Sequence, residues 1–129
     1  MWFIKVMKNG FNFSDRARRK EYWCFVLATF IINIFIAVIQ NVIFGVSFAN
    51  PEVELNAGNF IGLIFNLIIL IPSIAVTTRR LHDINKSGWW QLIYFLPILG
   101  IFIMLYFLIK GGDKESNRFG DSPIIYEKV

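Results

Sequence analysis

Three stretches of this chain carry no charged residue: 22–51, 55–78 and 87–109, which hold 30, 24 and 23 residues. About 20 apolar residues carry an α-helix through the hydrocarbon core of a bilayer. Backbone groups in lipid find no water, so an open chain crosses as helices. The pattern predicts an all-α integral membrane protein with three transmembrane helices, over 22–45, 58–78 and 89–109. The chain reads as a single membrane domain, 1–129, with a basic segment over 1–21 and a polar tail over 110–129. Of its 129 residues, 56% are hydrophobic and only 17% are charged, against about 25% charged in soluble domains. That excludes a disordered chain, a coiled coil and a basic nucleic-acid-binding domain, so no nucleic-acid partner is expected.

The net charge of +4 is informative by position. Residues 1–21 hold Lys5, Lys8, Arg16, Arg18, Arg19 and Lys20, and the segment 79–88 holds Arg79, Arg80 and Lys86. The segment 46–59 has Glu52 and Glu54 and no basic residue. Lys and Arg are retained on the cytoplasmic side. The N-terminus and the 79–88 loop are therefore expected inside a bacterial inner membrane, and 46–59 outside. Three crossings then place the C-terminus on the periplasmic or extracellular side, although the tail carries Lys110, Lys114, Arg118 and Lys128.

Local signals divide the chain further. Trp2, Phe3, Val6 and Met7 share one side of a helical period, with Lys5 and Lys8 on another. This suits a short N-terminal helix lying in the membrane interface and ending at Gly10. Ser14 is a good N-cap, which predicts a helix running from Arg16 directly into the first span. Tyr22 and Trp23, and later Trp89 and Trp90, stand where an aromatic belt anchors span ends. Asn50-Pro51 marks an outer turn and Asn85-Lys86-Ser87-Gly88 an inner one, with Ser87 capping the third span. Gly58 and Gly62 form a GxxxG pair. Pro97 and Gly100 fall inside the third stretch. A kinked full span is expected there, with a re-entrant hairpin as the alternative. The single cysteine, Cys24, permits no internal disulfide and reads as a small buried apolar residue.

No ionisable side chain lies in a span core, which argues against a proton pump or charge-coupled transporter. The amides are the exception. Asn33, Gln40 and Asn41 line one stripe of span one, and Asn66, Ser73 and Thr77 one stripe of span two. At about 1.5 Å per residue, Asn33 and Asn66 sit at nearly the same depth on antiparallel helices. They are expected to share an inter-helix polar seam.

The charged residues fall into three motifs. These are Phe13-Ser14-Asp15-Arg16-Ala17-Arg18-Arg19-Lys20-Glu21-Tyr22-Trp23, Arg79-Arg80-Leu81-His82-Asp83-Ile84-Asn85-Lys86-Ser87-Gly88-Trp89-Trp90, and Asn117-Arg118-Phe119-Gly120-Asp121-Ser122-Pro123. In this order, around three apolar stretches, they resemble the small bacterial inner-membrane proteins catalogued as domain of unknown function 805. The resemblance covers nearly the whole chain. It departs at Asp15 and near Glu115, where that family has Gly. It implies a membrane fold and brings no established activity.

Arg16, Arg18, Arg19, Arg79 and Arg80 could form a site for an anionic headgroup, because Arg offers planar bidentate phosphate contacts. His82 and Asp83 adjoin it and could act as an acid/base pair. The plainer reading is a basic anchor with local ion pairs, in which Asp83 meets Arg79 or Arg80 one helical turn away. Asn117, Arg118 and Gly120 look like a tail turn that docks on something: an outside tail could not reach the inner arginines, whereas an inside tail would let all three motifs form one polar cap. No catalytic set, metal site or cofactor is expected.

The favoured function is a non-enzymatic scaffold or regulator that binds anionic membrane lipid or another membrane protein. An oligomeric transporter or channel subunit is the alternative, and a membrane enzyme acting on lipid phosphate the second. Both a homo-oligomer and a membrane-protein partner fit the pattern.

Overall fold

The computed structural model describes residues 1–44 and 57–125. Glu52, Glu54 and the Asn50-Pro51 turn lie outside the described residues. Helix α1 is Trp2–Lys8, α2 is Arg19–Phe44 and α3 is Ala57–Asp83. A 3₁₀ helix, Gly88–Phe95, and helix α4, Leu99–Ile109, complete the order. Among the described residues no strand forms, only an isolated bridge between Asn117 and Gly120.

Two helices, α2 and α3, are long and apolar enough to cross a membrane. Their outward faces are apolar and exposed, as at Leu27, Phe30, Phe35, Leu63, Leu67 and Ile68. In water such faces would need covering, whereas lipid solvates them. Asn66 Nδ2 donates to Asn33 Oδ1 at 3.3 Å across the α2–α3 seam. Each amide also bonds a carbonyl one turn back on its own helix, at Thr29 and Gly62. A Cβ on Gly62 would stand 2.9 Å from Gln40 Nε2, so this glycine admits the close approach of α2.

The third apolar stretch differs from the kinked full span expected over 89–109. Its first arm is a 3₁₀ helix of 8 residues and its second an α-helix of 11. At about 2.0 and 1.5 Å per residue, each arm is roughly 16 Å long. That is about half of a hydrocarbon core. Between them Pro97 is followed by Ile98 at φ +64°. Gly100 then packs directly on the 3₁₀ helix, where a Cβ would overlap the Ile93 carbonyl oxygen. The two arms form a hairpin, and the far end of α4 returns to the end of α3. Arg80 Nε donates to the Leu108 carbonyl at 3.3 Å, and Arg80 Nη2 to that of Lys110.

The core gathers at this one end of the molecule. Val6, Ala17, Phe25, Val76, Leu81 and Met104 are buried there together. Phe3 of α1 stacks on Phe25 of α2 with ring centroids 5.5 Å apart. The turn after α3 is a Schellman motif. Lys86 N–H bonds the Leu81 carbonyl at 2.9 Å and Asn85 N–H that of His82 at 3.0 Å. Asn85 supplies the left-handed residue, φ 58°, which Asn tolerates better than most residues. Ser87 Oγ accepts from Trp89 N–H at 3.4 Å, capping the 3₁₀ helix.

Three local expectations are corrected. Helix α2 begins at Arg19, not at a Ser14 cap. Residues 12–15 instead form a turn in which Asn12 Oδ1 accepts from Ser14 N–H and Asp15 N–H. The chain then crosses the end of α3, where Ala17 N–H bonds the Arg79 carbonyl at 2.9 Å. That path delivers Arg16 inward, which a helix through 16 would prevent. Tyr22 is 8% exposed rather than an outward anchor, because Glu21, Tyr22 and Phe25 share the face of α2 turned inward. Cys24, on the opposite side, is exposed. Trp23, Trp89 and Trp90 face outward.

Candidate functional site

The candidate site is a buried charge cluster at the shared end of α2, α3 and α4. Asp83, the last residue of α3, takes two guanidinium groups. Arg16 donates from Nη2 and Nε to Oδ1 at 3.0 and 3.2 Å, and Arg80 from Nη1 to Oδ2 at 2.6 Å. Arg79, next in sequence to Arg80, points elsewhere: its Nη1 donates to Glu21 Oε1 at 2.8 Å. Lys5 Nζ reaches the other oxygen of Glu21 at 3.4 Å. Arg16, Glu21, Arg79, Arg80 and Asp83 are all buried. Buried charges are stable only when paired and fully hydrogen-bonded. Here each carboxylate is shared by two cations.

The excess guanidinium donors hold the tail. Arg16 Nη1 donates to the carbonyls of Glu115 and Gly120 at 2.9 and 3.1 Å, and Nη2 to that of Asp113 at 2.6 Å. Asn117 Nδ2 donates to the His82 carbonyl and to Asp113 Oδ2, both at 3.0 Å. Arg118 Nη2 donates to the Asn85 carbonyl at 3.2 Å. Asp113 N–H bonds the Asp83 carbonyl at 2.7 Å. Gly112 lies so close to the cluster that a Cβ there would overlap the Asp83 carboxylate. The tail therefore lies against the N-terminal segment and the α3 turn, and the three charged motifs form one cap. The turn expected at Asn117, Arg118 and Gly120 is closed by paired bonds between residues 117 and 120.

His82 does not meet Asp83. Its Nδ1 lies 3.3 and 3.2 Å from the carbonyls of Ser14 and Asp15. Carbonyls only accept, so Nδ1 carries the proton. Its ring stacks on Phe119 with centroids 3.8 Å apart. The histidine thus pins the N-terminal turn to the tail turn, and the carboxylate of Asp83 belongs to the arginines.

Among the seven residues singled out from sequence for anion binding, Arg16, Arg80 and Asp83 saturate one another. Arg79 joins Glu21, and Arg19 sits outside, its Nη1 3.5 Å from the Ile109 carbonyl. A cleft of about 650 Å³ opens beside this cluster, lined by Lys5, Asn9, Arg18, Arg79 and Gly120 among others. Lys5 and Asn9 were not foreseen as part of the site. The basic side of the amphipathic α1 and its closeness to the first charged motif were the available signals. Among the described residues no group of three metal-ligating side chains occurs.

A family model described as "protein of unknown function (DUF805)" matches residues 10–121. Inner membrane protein YhaI of Escherichia coli (strain K12) is 38% identical over 122 residues, covering 95% of this chain and 94% of its own length. Inner membrane protein YhaH of the same strain is 35% identical over 122 residues, covering 95% of each chain. No solved structure matches.

Proposed function

This chain belongs to the DUF805 family of inner-membrane proteins, and we propose that it is a non-catalytic scaffold or regulator acting through its folded cap. The observation that carries this reading is the reach of Arg16. One guanidinium joins the N-terminal segment to Asp83 and to three tail carbonyls. Three motifs far apart in sequence become one rigid polar surface beside the membrane. Exposed cations rim it: Lys8, Arg19, Lys20, Lys110 and Lys114. Each cation near an anionic leaflet gains about 1 kcal/mol, so the rim suits phosphatidylglycerol-type headgroups.

The other two functions draw less support. Asn33 and Asn66 bond each other, as structural amides do. His82 and Asp83 have separate partners. The basic cap favours a cytoplasmic location under the positive-inside bias. With α2 and α3 as two crossings and 88–109 as a re-entrant hairpin, both termini would lie in the cytoplasm.

Native mass spectrometry from mixed nanodiscs tests the lipid reading. Wild type is expected to retain phosphatidylglycerol over phosphatidylcholine. A variant with Arg19, Lys20, Lys110 and Lys114 all changed to Gln should lose that preference, and unchanged retention would sink it. Thiol labelling tests the topology. Lys114→Cys in a Cys24→Ser background should resist an impermeant reagent in intact cells and react after lysis.

A further inference from the structure

We propose that the cleft beside α1 binds a phosphate-type oxyanion on the free edge of Arg79. Arg79 lines this cleft, and its side chain is only 3% exposed. Its Nη1 is committed to Glu21, while Nε and Nη2 have no hydrogen-bond partner. Those two N–H groups project from one edge of the planar guanidinium. They form the fork that takes two oxygens of a phosphate or carboxylate. Buried side-chain donors are nearly always bonded, so a whole unbonded fork calls for an explanation, and an ion is one. Neither Arg16 nor Arg80 has this feature, since each is bonded to a carboxylate and to carbonyls.

The surroundings favour phosphate over carboxylate. Lys5 lines the same cleft with its side chain 53% exposed, held by Glu21 at 3.4 Å and lying 5.0 Å over the Trp2 ring. A tetrahedral oxyanion can give two oxygens to the fork and a third to this ammonium. A carboxylate has only two to give. Three carboxylates also line the cleft: Asp15, Glu21 and Asp121. Glu21 is shared by Arg79 and Lys5. Asp15 accepts from Asn12 Nδ2 and Asp121 from Ser116 Oγ, each at 2.6 Å. With Lys5, Arg16, Arg18 and Arg79 as cations, the lining stays net positive. Ser122, between the lining residues Asp121 and Pro123, holds a buried hydroxyl oxygen without a hydrogen-bond partner.

This inference rests on the cap being a ligand-binding surface, and it names the group bound and the atoms that bind it. The phosphate could belong to a lipid headgroup or be free in solution. The Arg79 Nε–H resonance of ¹⁵N-arginine-labelled protein reports on the fork directly, with Arg79→Lys used to assign it. In phosphatidylcholine nanodiscs, inorganic phosphate should move that signal saturably, and chloride at equal ionic strength should not. In nanodiscs containing phosphatidylglycerol and no free phosphate, movement identifies a headgroup ligand. Movement with free phosphate alone identifies a soluble one. Lys5→Gln, a change at a half-exposed side chain, should weaken the binding about tenfold. A signal that stays still in both arms, or that moves as much with chloride, overturns the site. Retention of phosphatidylglycerol by the rim would survive that result. Conversely, a phosphate response without lipid retention keeps the site and sinks the lipid reading.

Discussion

The cap and the helix bodies are held by opposite kinds of contact. In the bodies of α2 and α3 the faces are apolar and exposed, and Asn66 bonds Asn33 across the seam. In the cap, arginines and acids are buried, and their partners lie as far as 104 residues away in sequence. A lipid-solvated helix keeps its own backbone satisfied and needs little from its neighbours. A polar cap has no such self-sufficiency, because every buried charge needs a specific partner. Specificity is therefore concentrated where the charges are.

Asp83→Asn should have the largest effect on this contrast. It leaves Arg16 and Arg80 buried without their shared counter-charge, at a cost of about 3–5 kcal/mol. A large fall in the thermal midpoint in mild detergent would show it, and a midpoint near wild type would refute the cap as the stabilising centre. Arg16→Met comes next, because it frees three tail carbonyls. Proteolysis after Lys114 or Arg118 should speed up while α2 and α3 stay helical by circular dichroism. The neighbouring glycines give a sharper comparison. Gly112→Ala forces a methyl onto the Asp83 carboxylate and should cost about 1–3 kcal/mol, as overpacking does. Gly111→Ala meets nothing within 4 Å and should leave the midpoint nearly unchanged. A small effect belongs to the helix bodies. Asn66→Leu removes an inter-helix bond of about 0.6 kcal/mol, and a loss as large as that of Asp83→Asn would erase the contrast.

Much of the local structure was readable from residue order. The Asn85 turn and the Ser87 cap come from side-chain chemistry within a few residues. The presence of α2 and α3 comes from apolar length. Ser14 misled because its capping propensity is a local preference, and the inward pull on Arg16 from Asp83, 67 residues away, overrode it. Tyr22 misled because an aromatic at a span end can face lipid or protein, and composition does not record which.

The third apolar stretch draws the boundary most clearly. Apolar length and the absence of charge are one-dimensional properties, and they suffice to assign this chain to a membrane. Whether such a stretch runs straight or doubles back depends on contacts between distant residues. Here Gly100 seats against Ile93, and Arg80 grips the carbonyls at Leu108 and Lys110. Those contacts bring the tail back to the arginines and assemble the cap. Hydrophobic burial is non-directional and legible in composition, whereas hydrogen-bonded charge pairs are directional and exist only once the chain has folded.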